Sequence, residues 1–117
     1  MKYGFFFSIL MVAFGFQAGQ AQTDNNAMTT KFKVYGNCGM CEKRIEKAAK
    51  IEGVTLADWD VDSKILTLVF NPAMVKPGQV HKAVAAVGHD TEKEKADDAV
   101  YDALHECCKY ERRAEHH

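Results

Sequence analysis

The chain has 117 residues, of which 47% are hydrophobic and 26% are charged, and its formal net charge is −1. These values are typical of a single soluble domain. The near-neutral net charge gives no support to a nucleic acid or an anionic membrane as partner. The sequence also has no C2H2 spacing and no basic patch with interleaved aromatic residues.

The N-terminus is typical of a signal peptide, over residues 1–21. Lys2 precedes an apolar run, Phe5 to Phe16, and the small residues up to Ala21 suit cleavage after it. The run is shorter than the roughly 20 residues that span a bilayer, and an uncleaved membrane anchor is the alternative. We therefore expect a periplasmic or secreted monomer without stable membrane insertion after cleavage. Residues 22–29 are polar and predict a flexible lead-in.

The next stretch shows alternating and helical patterns in turn. Leu66, Leu68 and Phe70, for example, share one face of an alternating run, which is typical of a half-buried strand. The predicted elements are a strand over Thr30–Tyr35, a helix starting at or just after Cys41 and ending at Gly53, strands over Val54–Val61 and Ile65–Phe70, a helix from Pro77 to Gly88, and an edge strand over His89–Lys95.

The order β-α-β-β-α-β is that of the ferredoxin-like split βαβ unit, an α+β fold in which two helices cover one face of a sheet. This unit would occupy residues 30–95. Its length suits such a fold and allows a modest core.

Residues 96–117 remain as a C-terminal extension. Val100, Leu104 and the pair Cys107 and Cys108 recur at helical spacing, which predicts an additional C-terminal helix. Such a stripe needs an apolar surface to cover, so we expect this helix to pack on the open face of the sheet.

Two cysteines, Cys38 and Cys41, occupy the junction of the first strand and the first helix. The spacing brings two sulfurs onto one loop, where they could bind one soft metal ion. The partial positive charge of a helix N-terminus favours thiolate over thiol, and thiolates select Cu(I), Zn(II) and heavier d10 ions. A structural disulfide and a thioredoxin-like redox pair are the alternatives, because an exported chain with four cysteines could form two disulfides.

Four short segments carry a resemblance to a known family. They are Gly-x-Cys-x-x-Cys-x-x-x-Ile-Glu-Lys-Ala at 36–48, Glu52-Gly53-Val54, Phe70-Asn71-Pro72 and Ala86-Val87-Gly88-His89. With them, residues 30–95 resemble the heavy-metal-associated domain of copper chaperones, copper-ATPase N-terminal domains and periplasmic mercury-binding proteins. The resemblance implies a βαββαβ fold in which the two loop cysteines bind Cu(I), Hg(II) or a similar ion. Two positions depart from it, since Gly36 stands where Met is usual and His89 where Tyr, Phe or Lys is frequent.

Three further residues are candidate metal ligands beside Cys38 and Cys41. His89 should lie at the same end of the fold as the loop, as a third ligand or as a hydrogen-bond donor to the ligands; an exposed turn histidine is the alternative. If the C-terminal helix folds back along the sheet, Cys107 or Cys108 returns to the loop as an extra ligand or a disulfide partner. Otherwise this pair supplies one buried thiol and one surface thiol.

The sequence gives less support for a metal-binding role of the remaining residues. Met40 is expected to form a hydrophobic plug over the loop, with a weak thioether ligand as the alternative. Trp59 is expected in the core. His105, His116 and His117 are expected to be solvated.

These observations predict an exported soft-metal-ion binding protein that carries or sequesters the ion through its Cys-x-x-Cys pair. Cu(I) is the favoured ion, with Hg(II), Zn(II) and Cd(II) as alternatives. The expected partner is a metal-transporting membrane protein or another thiol-bearing metal acceptor. No residue set suits catalysis, so we do not expect an enzyme. The competing hypotheses are a thiol-disulfide oxidoreductase that uses the same pair and a structural domain with two disulfides.

Overall fold

The computed structural model describes residues 26–112. Its elements, in chain order, are β1 (Met28–Lys33), α1 (Gly39–Ala49), β2 (Val54–Trp59), β3 (Ile65–Phe70), α2 (Pro77–Ala86), α3 (Asp98–Asp102) and a 3-10 turn (Glu106–Cys108). The predicted bounds of β3 and the predicted start of α2 are confirmed.

The sheet has three strands in the order β1-β3-β2, with both outer strands antiparallel to β3. Alternation along β3 places Leu66, Leu68 and Phe70 on the buried face, as the sequence pattern predicted. The other face of β3 is half-buried.

Helices α1 and α2 pack against each other and supply the second layer of an α+β fold. Cys41, Ile45 and Ala49 recur along α1 and are buried, and Val80 and Val84 are buried on α2. These side chains form one hydrophobic cluster with those of the strands. Each fully buried aliphatic side chain contributes about 1.5–3 kcal/mol, so this cluster anchors both ends of the loop between β1 and α1. The ferredoxin-like fold class is therefore confirmed.

Several predicted boundaries were off by about two residues. Strand β1 begins at Met28, which pairs with Phe70, so the last residues of the expected lead-in 22–29 belong to the sheet. Helix α1 begins at Gly39, two residues earlier than predicted, and it ends at Ala49, before the predicted stop at Gly53. Strand β2 ends at Trp59, two residues earlier than predicted. Pairing with β3 decides both strand ends, and no local pattern reports that pairing.

The prediction of a fourth strand over His89–Lys95 is wrong. Within this described segment the pairing with the sheet edge is a single antiparallel bridge between Val34 and Thr91. The chain turns back at once, because the Thr91 hydroxyl accepts the backbone N–H groups of Lys93 and Glu94 at 3.1 and 2.9 Å. The segment nevertheless lies beside β1, at the edge where the fourth strand was expected.

The C-terminal extension contains an additional helix, but α3 has five residues and buries no side chain. The interpretation that it packs on the open sheet face is therefore wrong. The chain instead bends back, and Cys108 and Tyr110 are buried. Two kinds of contact explain this path. Cys108 lies in the hydrophobic cluster, with Leu104 packed against it. The Tyr110 hydroxyl also donates to the Gly88 carbonyl at 2.7 Å and accepts from the Asp90 N–H at 2.9 Å. These bonds hold the segment at the turn that follows α2.

Among residues 26–112, no helix has the length and apolar character required to cross a membrane. The predicted signal peptide 1–21, the first part of the lead-in, and His116 and His117 lie outside the described residues.

Candidate metal-binding site

The Cys-x-x-Cys pair lies where β1 leads into α1. Cys38 caps the helix with an extended backbone, and Cys41 lies in the first turn with its side chain fully buried. Both are free thiols, and their Sγ atoms are 3.7 Å apart. The junction therefore presents one partly exposed sulfur and one buried sulfur at the same end of the core.

The loop rests on an indole ring. Trp59 Nε1–H donates to the Val34 carbonyl at 3.0 Å. A Cβ built on Gly36 would lie 3.1 Å from the Trp59 ring and 3.2 Å from the Cβ of Cys41. The space beneath the loop is thus already filled, which explains a glycine where the resembled domains usually carry methionine. Trp59 is 1% exposed, so its prediction as a core residue is confirmed.

The C-terminal segment adds two sulfurs to this pair. The Sγ of Cys38 lies 3.6 Å from that of Cys107 and 3.8 Å from that of Cys108, and the latter two are 4.0 Å apart. Cys108 is buried and Cys107 is exposed. As predicted, these cysteines lie beside the loop, although a bent segment brings them there instead of a helix along the sheet. Their role as metal ligands stays a prediction.

The spacing of the sulfurs suits a thiolate-bound ion. The Sγ atoms of Cys38, Cys41 and Cys108 all lie within 4.8 Å of one another. A metal held by three or four thiolates at ~2.3 Å keeps its sulfurs about 3.8–4.0 Å apart. The measured separations of 3.6–3.8 Å from Cys38 are close to that spacing, so an ion could be bound with small side-chain movements.

The thiols differ in acidity. The pKa of Cys38 is lowered from 9.0 to about 7, chiefly because the backbone N–H of Cys41 at the helix N-terminus faces its sulfur. Burial raises the pKa of Cys41 to about 12, and the hydrogen bond to Cys38 raises the pKa of Cys107 to about 11. Of these three thiols, Cys38 most readily carries the thiolate charge near neutral pH, so a soft cation would bond to it before Cys41 or Cys107.

A guanidinium group lies beside the buried sulfur of Cys108. Arg44 Nη1 is 3.3 Å from Cys108 Sγ and 3.4 Å from His89 Nε2. Burial lowers the pKa of His89 to about 4, so the ring is neutral. Its Nδ1–H donates to the Tyr35 carbonyl at 2.8 Å, which leaves Nε2 to accept from Arg44. His89 is therefore placed to orient Arg44, and its ring nitrogens face these two groups rather than the sulfurs.

A polar clasp, formed by Asp90, Tyr110 and Arg112, holds the C-terminal segment. Asp90 is fully buried, and its carboxylate accepts from Arg112 Nε at 2.9 Å and from Arg112 Nη2 at 2.8 Å. The Tyr110 backbone carbonyl also accepts from the Tyr101 hydroxyl at 2.6 Å. Such charge-assisted, bidentate contacts are stronger than neutral hydrogen bonds. They fix the segment that carries the second pair of cysteines.

Sequence reasoning did not single out Arg44 or the three clasp residues. Arg44 meets Cys108 across 64 positions, and Arg112 meets Asp90 across 22 positions. No helical or strand periodicity covers such separations. The available signal was compositional: an aromatic residue and basic residues directly after a cysteine pair, in a tail that needed a contact surface.

Met40 lies at the rim of the sulfur cluster. Its side chain is 47% exposed, and its Sδ is 4.0 Å from the exposed Cys107 Sγ. At this exposure the side chain does not seal the loop as a hydrophobic plug would. His105 is exposed and lies outside the described sulfur cluster, in agreement with its expected solvation.

No family model and no curated protein matches this chain. Solved structures do match. The chain is similar to the CopZ metallochaperone at 27% identity and a TM-score of 0.53, over 55% of this chain and 98% of that one. It is similar to oxidized MerP from Ralstonia metallidurans CH34 at 26% identity and a TM-score of 0.53, over 56% of this chain and 94% of that one.

A third structure is the N-terminal domain of a potential copper-translocating P-type ATPase from Bacillus subtilis in the Cu(I)-loaded state. It shares 30% identity at a TM-score of 0.53, over 56% of this chain and 84% of that one. The matched share of this chain is close to the length of the unit from β1 to Thr91. At this identity and coverage of the ATPase domain, the likeness is sufficient to conclude that the chain belongs to the heavy-metal-associated domain family.

Proposed function

We propose that this protein binds a soft metal ion through Cys38 and Cys41 and carries or sequesters it. The observation that supports this most is the cluster of cysteine sulfurs, in which Cys38 has three neighbouring sulfurs at 3.6–3.8 Å. Thiolates prefer soft cations over Mg²⁺ or Ca²⁺.

The ion that we propose is Cu(I). A thioether, Met40 Sδ, accompanies the thiolates, and this combination favours Cu(I). Two of the similar structures are described as a metallochaperone and as part of a potential copper-translocating ATPase. Hg(II), Zn(II) and Cd(II) are the competing ions that an experiment must include.

Binding would begin at Cys38, because its lowered pKa of about 7 favours the thiolate form near neutral pH. Bonds to the buried sulfurs of Cys41 and Cys108 follow as their protons leave. Several thiolates around one cation give the site excess negative charge. The guanidinium of Arg44, 3.3 Å from Cys108 Sγ, offsets part of that charge.

Release would proceed by ligand exchange. A thiolate of the acceptor bonds to the ion while a sulfur of this chain leaves, so the ion is never free and keeps its oxidation state. The acceptor that we propose is a metal-transporting membrane protein or another thiol-bearing protein, and the similarity to an ATPase N-terminal domain supports this. We further propose that the protein is not an enzyme. The composition of residues 1–21 supports a periplasmic or secreted location.

The test is an anaerobic titration of the fully reduced full chain with Cu(I), Zn(II) and Hg(II). Native mass spectrometry counts the ions on each chain, and competition with a chromogenic Cu(I) chelator gives the affinity. We expect at least one Cu(I) per chain, held against micromolar chelator, and at least a tenfold loss of affinity in Cys38→Ser, equivalent to about 1.4 kcal/mol. Circular dichroism of Cys38→Ser confirms that the variant is folded.

A folded, reduced chain that binds none of these ions at micromolar concentration overturns the proposal. Turnover of a substrate disulfide without metal would support the oxidoreductase hypothesis instead. Preference for Zn(II) over Cu(I) would leave the soft-metal function standing and overturn the assignment of the ion.

A further inference from the structure

We infer that the protein has a second, outer position for the ion, formed by the sulfurs of Cys38, Cys107 and Met40. The inner position is the buried cluster of Cys38, Cys41 and Cys108. A Cu(I) ion would enter and leave the inner position through the outer one. This inference rests on the proposed function, because both positions take the same soft cation.

The first observation is that the sulfurs differ in exposure. Cys41 and Cys108 are 0% exposed, whereas Cys107 is exposed and Met40 is 47% exposed. Cys38 is intermediate. An ion arriving from solvent, or a partner's thiolate, therefore meets Cys107 and Met40 before it meets the two buried cysteines, whose sulfurs lie next to Cys38 and, for Cys108, next to Cys107.

The second observation is that one sulfur is common to both sets. Cys38 Sγ lies 3.7 Å from Cys41 Sγ and 3.8 Å from Cys108 Sγ on the buried side, and 3.6 Å from Cys107 Sγ on the exposed side. Cys107 Sγ in turn lies 4.0 Å from Met40 Sδ. The 3-10 turn of the C-terminal segment supplies one sulfur to each position from adjacent residues. The sulfur atoms therefore form two overlapping sets, one buried and one exposed, and Cys38 belongs to both.

The third observation concerns the donor atoms. The outer position includes a thioether, which carries no charge and no proton. Thioethers favour Cu(I), whereas Zn(II) in proteins is bound by thiolate, imidazole and carboxylate ligands. The outer position would therefore distinguish Cu(I) from Zn(II), although thiolates alone accept both.

The inward step is a ligand exchange that balances without any redox change. Cu(I) first bonds to the Cys38 thiolate, to Met40 and to Cys107, whose proton passes to solvent. Bonds to Cys41 and Cys108 then form as their thiol protons leave. The bonds to Cys107 and Met40 break, and the Cys107 thiolate regains a proton from solvent. The bond to Cys38 persists, and copper remains Cu(I) throughout.

The test compares Met40→Leu and Cys107→Ser with Met74→Leu in the full, reduced chain. Met74 is a matched control because it is also an exposed methionine, at 53%, and its Cβ lies 3.0 Å from the position that a Cβ on Gly53 would occupy, beyond the C-terminal end of α1. Anaerobic mass spectrometry counts Cu(I) ions at excess copper. Stopped-flow measurements follow Cu(I) transfer to glutathione, and chelator competition gives the affinity for the first ion.

We expect the wild-type chain and Met74→Leu to bind a second, weaker Cu(I) at excess copper. Met40→Leu and Cys107→Ser should lose that ion and transfer the first one about tenfold more slowly. Their affinity for the first ion should change by less than about threefold, since the inner sulfurs remain. In Cys108→Ser, by contrast, the affinity for the first ion should fall by about tenfold or more.

Wild-type stoichiometry and wild-type transfer rates in both Met40→Leu and Cys107→Ser would overturn this inference, while tight binding of one ion would leave the proposed function intact. If Met74→Leu slows transfer as much as Met40→Leu, the effect is not specific to the rim, and the inference is also overturned. Failure of the wild-type chain to bind Cu(I) at all would remove both proposals.

Discussion

Two regions of this molecule depend to different degrees on hydrophobic burial and on polar contacts. The two-layer unit from β1 to α2 is built on one buried hydrophobic cluster, to which both helices and all three strands contribute. The segment from residue 96 to residue 112 contains a five-residue helix with no buried side chain. It places Cys108 in that cluster, with Leu104 packed against it, and hydrogen bonds and ion pairs at Tyr110 and Arg112 hold the rest. Each region supplies two of the four cysteine sulfurs.

The difference bears on the proposed function, in which the protein both holds an ion and releases it. A hydrophobic core opens cooperatively and rarely, whereas a segment that buries one side chain in that core and is otherwise held by polar contacts opens locally at lower free energy. The loop pair, Cys38 and Cys41, is thus the fixed half of the site. In the proposed function, the tail pair, Cys107 and Cys108, is the half that a partner would displace.

The largest expected effect is on the core. Trp59→Ala removes a 1% exposed indole from beneath the cysteine loop and should lower the free energy of unfolding by about 3–5 kcal/mol. Urea denaturation measures this. Leu56→Ala is the matched control on the same strand, because Leu56 is 44% exposed, and it should cost less than about 1 kcal/mol. Equal losses in both variants would contradict the view of Trp59 as the support of the loop.

The next effect is on the clasp. Arg112→Ala removes two charge-assisted hydrogen bonds to the buried Asp90 carboxylate and should cost about 2–3 kcal/mol of local stability. The tail should open while the core stays folded, so alkylation of Cys108 at fixed pH should accelerate by about 30–100-fold. Mass spectrometry of the labelled peptide measures this rate.

A matched control for the clasp is Asp98→Ala, since Asp98 also contacts Arg112 but its side chain is 74% exposed. It should change the alkylation rate of Cys108 little. Arg112→Ala could instead lower the urea midpoint as strongly as Trp59→Ala without faster labelling of Cys108. In that case the two regions form one cooperative unit, and the tail does not open locally.

A smaller effect is expected at the contact between the regions. Arg44→Ala removes the guanidinium beside Cys108 Sγ and should lower Cu(I) affinity about tenfold, because the negative charge of the bound cluster is then less compensated. Arg44→Lys should restore part of the affinity, which a purely packing role would not explain. Chelator competition gives the values, and the exposed neighbour Lys43→Ala is the control. Unchanged affinity in Arg44→Ala would refute this role.

The smallest effect is on proton binding. The thiolate is the reactive form of cysteine, so iodoacetamide should label Cys38 faster as the pH rises through about 7, and Cys107 only as it rises toward about 11. The hydrogen bond between Cys38 and Cys107 helps to lower the pKa of Cys38. Cys107→Ala should therefore move the Cys38 labelling midpoint to higher pH. A midpoint that stays in place would show that the tail does not influence the loop thiolate.

Much of the two-layer unit could be predicted because its signals are local. The alternation of Leu66, Leu68 and Phe70 defined β3 correctly, and Pro77 marked the start of α2. Strand ends were missed by two residues, because pairing with a neighbour decides them. The fourth strand was lost because side-chain hydrogen bonds at Thr91 favour a turn over continued pairing.

The site divides in the same way. The position of Cys38 and Cys41 at a strand-to-helix junction follows from a short motif and its flanking periodicities, so the chain's own order of residues is enough to locate it. The approach of Cys108 to that pair, and the placement of Arg44 beside it, depend on where a bent tail is attached in three dimensions. Local periodicity encodes helices and strands, whereas contacts between residues far apart along the chain arise only once packing has brought their polar groups within hydrogen-bonding distance.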